Sequence, residues 1–485
     1  MLGFIDNVVD KIKMDTNNTK DIIYRKKRVS NRDIYIIYNE PLTSSSSISD
    51  FIVRSLTSIN NYKNNDIITS IYNDLSNYKV IKIYSYDEVC TYLNNGFCIL
   101  IIDKENVGFA MEAKANISRS IGMPDSENTI RGAKDAFIEN YQVNIGLIRK
   151  RIRNNNLWIE EVNVGRYTDT HIGVVSINGV VRKELVRDVL NRLNKIDIDG
   201  IINSEMIKNL IEKENKCLLP TIITTERPDL VCKCLLEGKV AIVVDNSPYV
   251  LVIPGLFNDF FMTSEDTYAK SLNASFTRML KYIAFFIALL GPGVYIALIT
   301  YNQEMIPTDL LINFTMQREG VPFPAFFEAF IMMISFEILR ESDLRVPSTS
   351  GSSLSIVGAL ILGDAAVSAG IVSPIMIIVI AITAISSLPF SEPEVTNGLR
   401  WYRILFMLGG SFLGIIGVVV VFIYFITKLC STQSFGIPYL VPYAPTYAQG
   451  LKNSIIRFPL RKINKRVPYL SNNITKKRRV SNYED

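Results

Sequence analysis

The hydrophobic pattern changes character once along the chain. Up to about Phe261, apolar residues come in short runs of two different periods. "GFCILIID" and "KVAIVVDNSPYVLVIP" are β-branched runs bounded by turn residues and predict strands. In the second, Asp245-Asn246-Ser247-Pro248 predicts the turn of a hairpin. In "KDAFIENYQVNIGLIRKRI", Phe137, Tyr141, Ile145, Ile148 and Ile152 recur at helical spacing, and "VVRKELVRDVLNRLNKI" is likewise amphipathic. After about Leu280, stretches of near-membrane length follow: Ile283–Thr300, Phe323–Leu339, Leu354–Ile371, Ile375–Phe390 and Ile404–Thr427. A membrane span needs about 20 apolar residues. The pattern predicts an α/β soluble N-terminal region followed by an all-α multi-helix membrane domain. Its expected parts are a polar, basic, mobile arm over 1–45, α/β subdomains over 46–125 and 126–265, a helical membrane domain over 275–430 and a basic cytosolic tail over 431–485.

Orientation poses a parity problem. The first twenty residues contain no apolar signal segment, so the N-terminal region is expected in the cytosol. The tail, with "RFPLRKINKR" and "TKKRR", is basic and expected on the same side. Arg457, Arg461, Lys462, Lys465 and Arg466 would lie against the anionic leaflet. Both ends inside require an even number of crossings, against five apolar segments. One segment is therefore expected not to cross: first Phe323–Leu339, second a half-crossing within 354–390.

One ionisable residue, Asp364, stands inside the run Leu354–Phe390. On an ideal helix of about 100° per residue, Ser355, Ala359, Gly363, Ala366 and Gly370 form one stripe of small residues suited to close helix packing. Asp364 falls nearly opposite, beside Val357, Ser368 and Ile371. A carboxylate at this depth faces the bundle interior or water. Two readings stay open: a pore wall or ion site, or a neutral Asp hydrogen-bonded to another helix. Glu328 and Glu337 are the other intramembrane acids. They fall on opposite sides of their helix, Glu337 near Arg340 and Glu341, Glu328 within reach of the interface.

Composition sharpens this picture. Hydrophobic residues make up 48% of the 485 residues, and the mean hydropathy is +0.19. Both suit a half-soluble, half-membrane chain. The net charge of +5 is modest, and no nucleic-acid-binding motif accompanies it. Six cysteines fit no zinc spacing, although Cys232-Lys233-Cys234 is a candidate redox or metal pair. The only histidine, His171, reads as an ordinary strand residue. No P-loop, nucleophile elbow or metal cluster points to an enzyme, and no cofactor is implied.

In the order and spacing of several segments the chain resembles the A subunit of the GerA family of spore germinant receptors. "GAKDAFIENYQVNIGLIRKRI" looks like the family's segment, here with Gly132, Lys134, Asp135, Phe137, Glu139, Asn140, Asn144, Leu147, Arg149 and Arg151. "TERPD" (Thr225 to Asp229), "EMIP", "VPFPAFFEAFIMMISFEILRES", "SIVGALILGDAAVSAGIVSP" and "SFGIPYLVPYAP" are similar to its later signatures. The likeness runs from about residue 50 to 470. Met333, Asn302 and Asp343 depart from it, standing where many members carry Glu, His and Gly. The resemblance implies a multi-pass inner-membrane complex of the dormant spore, with a transporter-like B subunit that binds the nutrient germinant and a lipoprotein C subunit. In it the A subunit is the oligomeric, ion-conducting part. The SpoVAF type, an accessory channel-like relative, shares nearly all these motifs. Three functions therefore compete: a germinant-gated cation channel built from a ring of chains, a secondary transporter, and a structural scaffold of the receptor complex. No internal repeat favours the transporter.

Overall fold

The computed structural model describes residues 5–29, 32–54, 72, 79–115, 124, 127, 129, 132–212, 218–343, 363–390, 392–459 and 465–471. Two five-stranded antiparallel sheets and a helical unit follow one another along the chain. The first sheet has the order β1 (Ile22–Val29), β2 (Arg32–Asn39), β4 (Phe97–Ile102), β5 (Gly108–Glu112), β3 (Val80–Ile83). Helices α1 (Ile5–Asp15) and α2 (Tyr86–Asn94) cover one face through Val8, Val9, Ile12, Val89 and Leu93. Residues 1–45 were expected to form a mobile arm, yet 5–29 and 32–42 supply the covering helix α1, strands β1 and β2 and the turns beside them. The apolar positions of "RDIYIIYN" outweigh the surrounding Lys, Arg and Asn: Ile34, Ile36 and Ile37 are fully buried. The basic residues of β1 sit on the sheet edge, where charge discourages pairing with another chain.

The second sheet has the order β6 (Leu157–Val164), β7 (Thr170–Ile177), β9 (Val240–Val244), β10 (Val250–Ile253), β8 (Ile223–Thr225). Its strands carry inward residues on both sides. Helices α3 (Tyr141–Arg151) and α6 (Pro228–Glu237) pack on one face, α4 (Lys183–Leu193) and α5 (Ser204–Ile211) on the other. The β9–β10 hairpin forms as expected, with Asn246 at φ 61° in its turn. Helix α3 starts where Asn140 accepts a hydrogen bond from the Val143 N–H at 3.1 Å. Its Arg149 pairs with Asp21 of the first subdomain at 2.6 Å, both side chains almost wholly buried.

The helical unit begins with α7 (Ser271–Thr300), then α8 (Thr308–Arg318), α9 (Ala325–Asp343), a helical turn at 363–368 and α10 (Pro374–Ser387). It ends with the 39-residue α11 (Pro393–Ser431). Helices α7 and α11 are long and apolar enough to cross a membrane. The expected single span Ile404–Thr427 is corrected here, because α11 reverses at Gly414. That residue has φ 61° and ψ −142°, a conformation open essentially to glycine. The two arms lie side by side: the rings of Tyr402 and Phe425 are 4.7 Å apart, and a Cβ on Gly417 would sit 2.0 Å from the Gly409 carbonyl oxygen. The arms measure roughly 31 and 26 Å at 1.5 Å per residue. The Asn302 Oδ1 accepts the Ile415 N–H at 3.0 Å and so caps the returning arm.

After α11 the tail folds back onto the second sheet. The Ser434 hydroxyl donates to the Thr221 carbonyl at 2.7 Å, and Arg182 donates to the Pro468 carbonyl at 2.6 Å. Arg457, expected against lipid, is buried and donates to the carbonyls of Ala269 and Thr267. Arg461 and Lys462 lie outside the described residues.

Cysteines replacing Tyr402 and Phe425 should be joined within one chain by a short bifunctional thiol reagent, because a continuous helix would hold them about 34 Å apart. Gly414→Ala should cost about 1–3 kcal/mol through backbone strain and lower the thermal midpoint. Failure of the crosslink in the otherwise native protein would remove the reversal.

Candidate functional site: the acidic residues of the helical unit

Helix α10 carries apolar residues on both sides. It buries Met376, Ile380, Thr383, Ala384 and Ser387 and exposes Ile378, Ile382 and Ile385. The α11 hairpin likewise exposes Phe412, Ile416, Val420 and Ile423. Glu328, Ser373 and Arg403 are buried with the apolar core. Backbone contact makes the interior tight: a Cβ on Gly410 would lie 2.4 Å from the Gly293 carbonyl oxygen of α7.

Glu328 does not reach an interface. It is wholly buried, and its two carboxylate oxygens are both used. Arg318 of α8 donates to Oε1 at 3.0 Å, while the Ser373 N–H and hydroxyl donate to Oε2 at 3.0 and 2.8 Å. One carboxylate thereby joins α8, α9 and the N-cap of α10. Glu337 is paired chiefly with Arg400 of α11, at 2.7 Å, and more distantly with Arg340, at 3.9 Å. Its principal partner was invisible to local spacing, because Arg400 is 63 residues away. Arg403 is buried beside it and donates to the Ala288 carbonyl of α7 at 2.8 Å.

Around Asp364 the structure divides the expected residues. Asp364 and Ser368 are both exposed, one helical turn apart on the 363–368 segment. Ala366 packs against the cluster of Tyr295, Ile296 and Met376, and a Cβ on Gly363 would be 3.9 Å from Ile377. The described part of the small-residue stripe thus meets this chain's own helices. Gly370 leaves the stripe altogether. At φ 66° it terminates the turn, its N–H donating to the Val367 carbonyl and that of Ile371 to Ala366. Ser355, Val357 and Ala359 lie outside the described residues.

The joint between sheet and helices was not foreseen. Lys208 of α5 is buried, 2.8 Å from Glu394 and 3.6 Å from both Glu392 and Glu205. Glu392 and Glu394 flank the first residue of α11. Burial pushes the Glu392 carboxyl up to about 7, against the pull of Lys208. Glu127 beside it is likewise raised to about 7 by burial. For Lys208 burial works downward, but the surrounding carboxylates outweigh it and hold the ammonium above its ordinary value. The Cys232-Lys233-Cys234 segment lies in α6. Both sulfurs are buried in α6 as free thiols, and burial pushes them up to about 12. His171 stands on β7 and hydrogen-bonds Asn163 at 3.0 Å.

Glu328→Ala should cost about 3–5 kcal/mol in an unfolding experiment in detergent, because it strands a guanidinium and a buried serine. Glu328→Gln should cost less, its amide oxygen still accepting from Ser373. A raised carboxyl favours the native state while protonated, so Glu392 and Glu127 contribute most below their unfolded value of about 4.5. That contribution is lost as pH rises through about 7. The thermal midpoint of wild type should therefore fall relative to Glu392→Gln over this window, and parallel curves would disprove the coupling.

A family profile described as the Bacillus/Clostridium GerA spore germination protein matches residues 10–469. Spore germination protein KA of Bacillus subtilis (strain 168) is 37% identical over 457 residues, covering 93% of this chain and 84% of that protein. Spore germination protein GerLA of Bacillus cereus is 30% identical, with 96% of each chain covered. The uncharacterized membrane protein YfkQ of Bacillus subtilis is 34% identical, covering 93% and 88%. Among solved structures, the N-terminal domain of the A subunit of the Bacillus megaterium spore germinant receptor GerK3 aligns with 27% identity and a TM-score of 0.42. It covers 53% of this chain and 96% of that domain. The chain belongs to the GerA family of spore germination proteins.

Proposed function

We propose that this chain is the A subunit of a nutrient-sensing germinant receptor, held in the inner membrane of the spore by its helical unit. There it would work beside a transporter-like B subunit and a lipoprotein C subunit. The observation that carries the membrane reading is the surface of the helical unit: isoleucines and phenylalanines of α7, α10 and α11 are exposed, while Glu328 and Arg403 are buried among its helices. In water such a surface would drive aggregation, whereas lipid tails match it. The reversal at Gly414 supports an even topology. The last apolar segment enters and leaves on one side, so the four preceding segments can all cross, with sheets and tail together in the cytosol.

One chain of this size encloses no wide path, so several copies would surround one. Asp364 and Ser368 point away from the chain's own core and would face that path, as acidic rings do in cation-selective pores. Asp364→Asn in the reconstituted receptor should leave assembly intact, lower cation conductance severalfold and weaken selectivity over anions. Unchanged reversal potentials in asymmetric salt would eliminate the pore role and leave Asp364 a packing residue.

A further inference from the structure

One group of charges in the helical unit is left incomplete by its own partners. It lies at the end of the unit nearest the sheets, between the last turns of α9 and the first turns of α11. Arg340 and Arg400 stand beside one carboxylate, Glu337, and Arg403 lies within electrostatic range of all three. Arg400 spends one Nη on Glu337 at 2.7 Å, while its Nε is buried with no hydrogen-bond partner among the described residues. Arg340 stands 3.9 Å from the same carboxylate, beyond hydrogen-bond distance. Arg403 is only 4% exposed. It donates from Nε to the Ala288 carbonyl, and neither of its Nη atoms makes a hydrogen bond among the described residues. Three guanidinia thus face one carboxylate, with N–H donors left over. An uncompensated buried charge is strongly unfavourable, so the cluster calls for an anion.

The depth of the cluster narrows the choice of anion. Ala288 lies five residues into the apolar segment Ile283–Thr300, roughly 8 Å at 1.5 Å per residue, and Arg400 is nearly one helical turn closer to the sheets than Arg403. The guanidinia therefore span the boundary between headgroups and acyl chains. Trp401, next to Arg400, is 59% exposed, and indoles concentrate at that boundary. Leu405 and Ile338 are exposed one step deeper and continue the apolar surface of the unit. A phosphate offers acceptors alone and matches the guanidinium fork in a bidentate way. An acidic polypeptide segment at this depth would bring backbone groups that lipid cannot satisfy.

We propose that Arg340, Arg400 and Arg403 bind the phosphate of an anionic phospholipid of the cytosolic leaflet, with its acyl chains along Leu405 and Ile338. The bound lipid would join α9 to α11 through the charges that Glu337 leaves over. The site rests on the membrane reading given above, and it is separate from Asp364 and the pore.

The sequence contains two tryptophans, so Trp158→Phe leaves Trp401 beside the site as the sole indole. The full-length Trp158→Phe protein would be reconstituted into vesicles of dibrominated phosphatidylcholine, whose bromines quench an indole in contact with lipid. Unbrominated phosphatidylglycerol or phosphatidylcholine would then be mixed in, and displacement at the site restores Trp401 emission. Phosphatidylglycerol is expected to displace about fivefold better than phosphatidylcholine. Arg400→Gln should bring the two lipids close to parity. Arg340→Gln, which gives up only a distant contact with Glu337, should lower the preference about twofold and serves where Arg400→Gln fails to fold. Lys452→Gln removes an exposed basic residue outside the site and should leave the preference unchanged. Inorganic phosphate in the buffer should not compete. No quenching of Trp401 by brominated lipid would overturn the membrane reading and the site with it. With quenching present, four results would overturn the site alone: equal displacement by the two lipids, a preference undiminished in both arginine variants, an equal loss in Lys452→Gln, or its abolition by inorganic phosphate.

Discussion

A helical unit with an apolar exterior has to satisfy its polar groups internally, and most of this structure follows from that constraint. An unpaired carboxylate or guanidinium without water costs several kcal/mol. Glu328 therefore draws Arg318 and Ser373 to itself, Glu337 draws Arg400, and Arg403 finds the Ala288 carbonyl. Each bond ties together helices that the chain separates. Even the hairpin at Gly414 depends on it, because the N–H groups of a new helix start are orphaned and Asn302 meets one of them.

The helices are not an independent appendage. Lys208 and its carboxylates connect α5 to the start of α11, the tail returns from the end of α11 to the second sheet, and Arg278 at the base of α7 pairs with Asp266 at 2.7 Å. Both ends of the hairpin are thus held by the α/β layers. The second sheet and the helices are therefore directly joined. The joints are ion pairs and hydrogen bonds with long sequence separation.

The family signatures turn out to be joinery. Within "GAKDAFIENYQVNIGLIRKRI", Asn140 caps α3, Asn144 bonds the backbone of Ile138 in both directions, Arg149 reaches Asp21 and Arg151 pairs with Asp135. In "TERPD", Arg227 is buried and donates to Asp229 and to the carbonyl of Ala133. Recognition by motif and spacing worked here because these residues carry bonds that a substitution would leave unsatisfied.

The sequence by itself determined the class of the protein. Period-two and period-3.6 patterns placed β9, β10, α3 and α4, and the length of the later apolar runs marked the helical half. Local pattern decides such elements because burial of one face is a local property. Composition misled over 1–45, where three isoleucines of β2 outweigh the basic residues around them. What only the tertiary structure decided were the pairings. The reversal at Gly414, the burial of Glu328 and the Arg400 partner of Glu337 all depend on groups far apart in sequence. Whether a carboxylate in an apolar run reaches a cation, a neighbouring helix or open space is set by which segments pack beside it. That is a property of the folded chain alone.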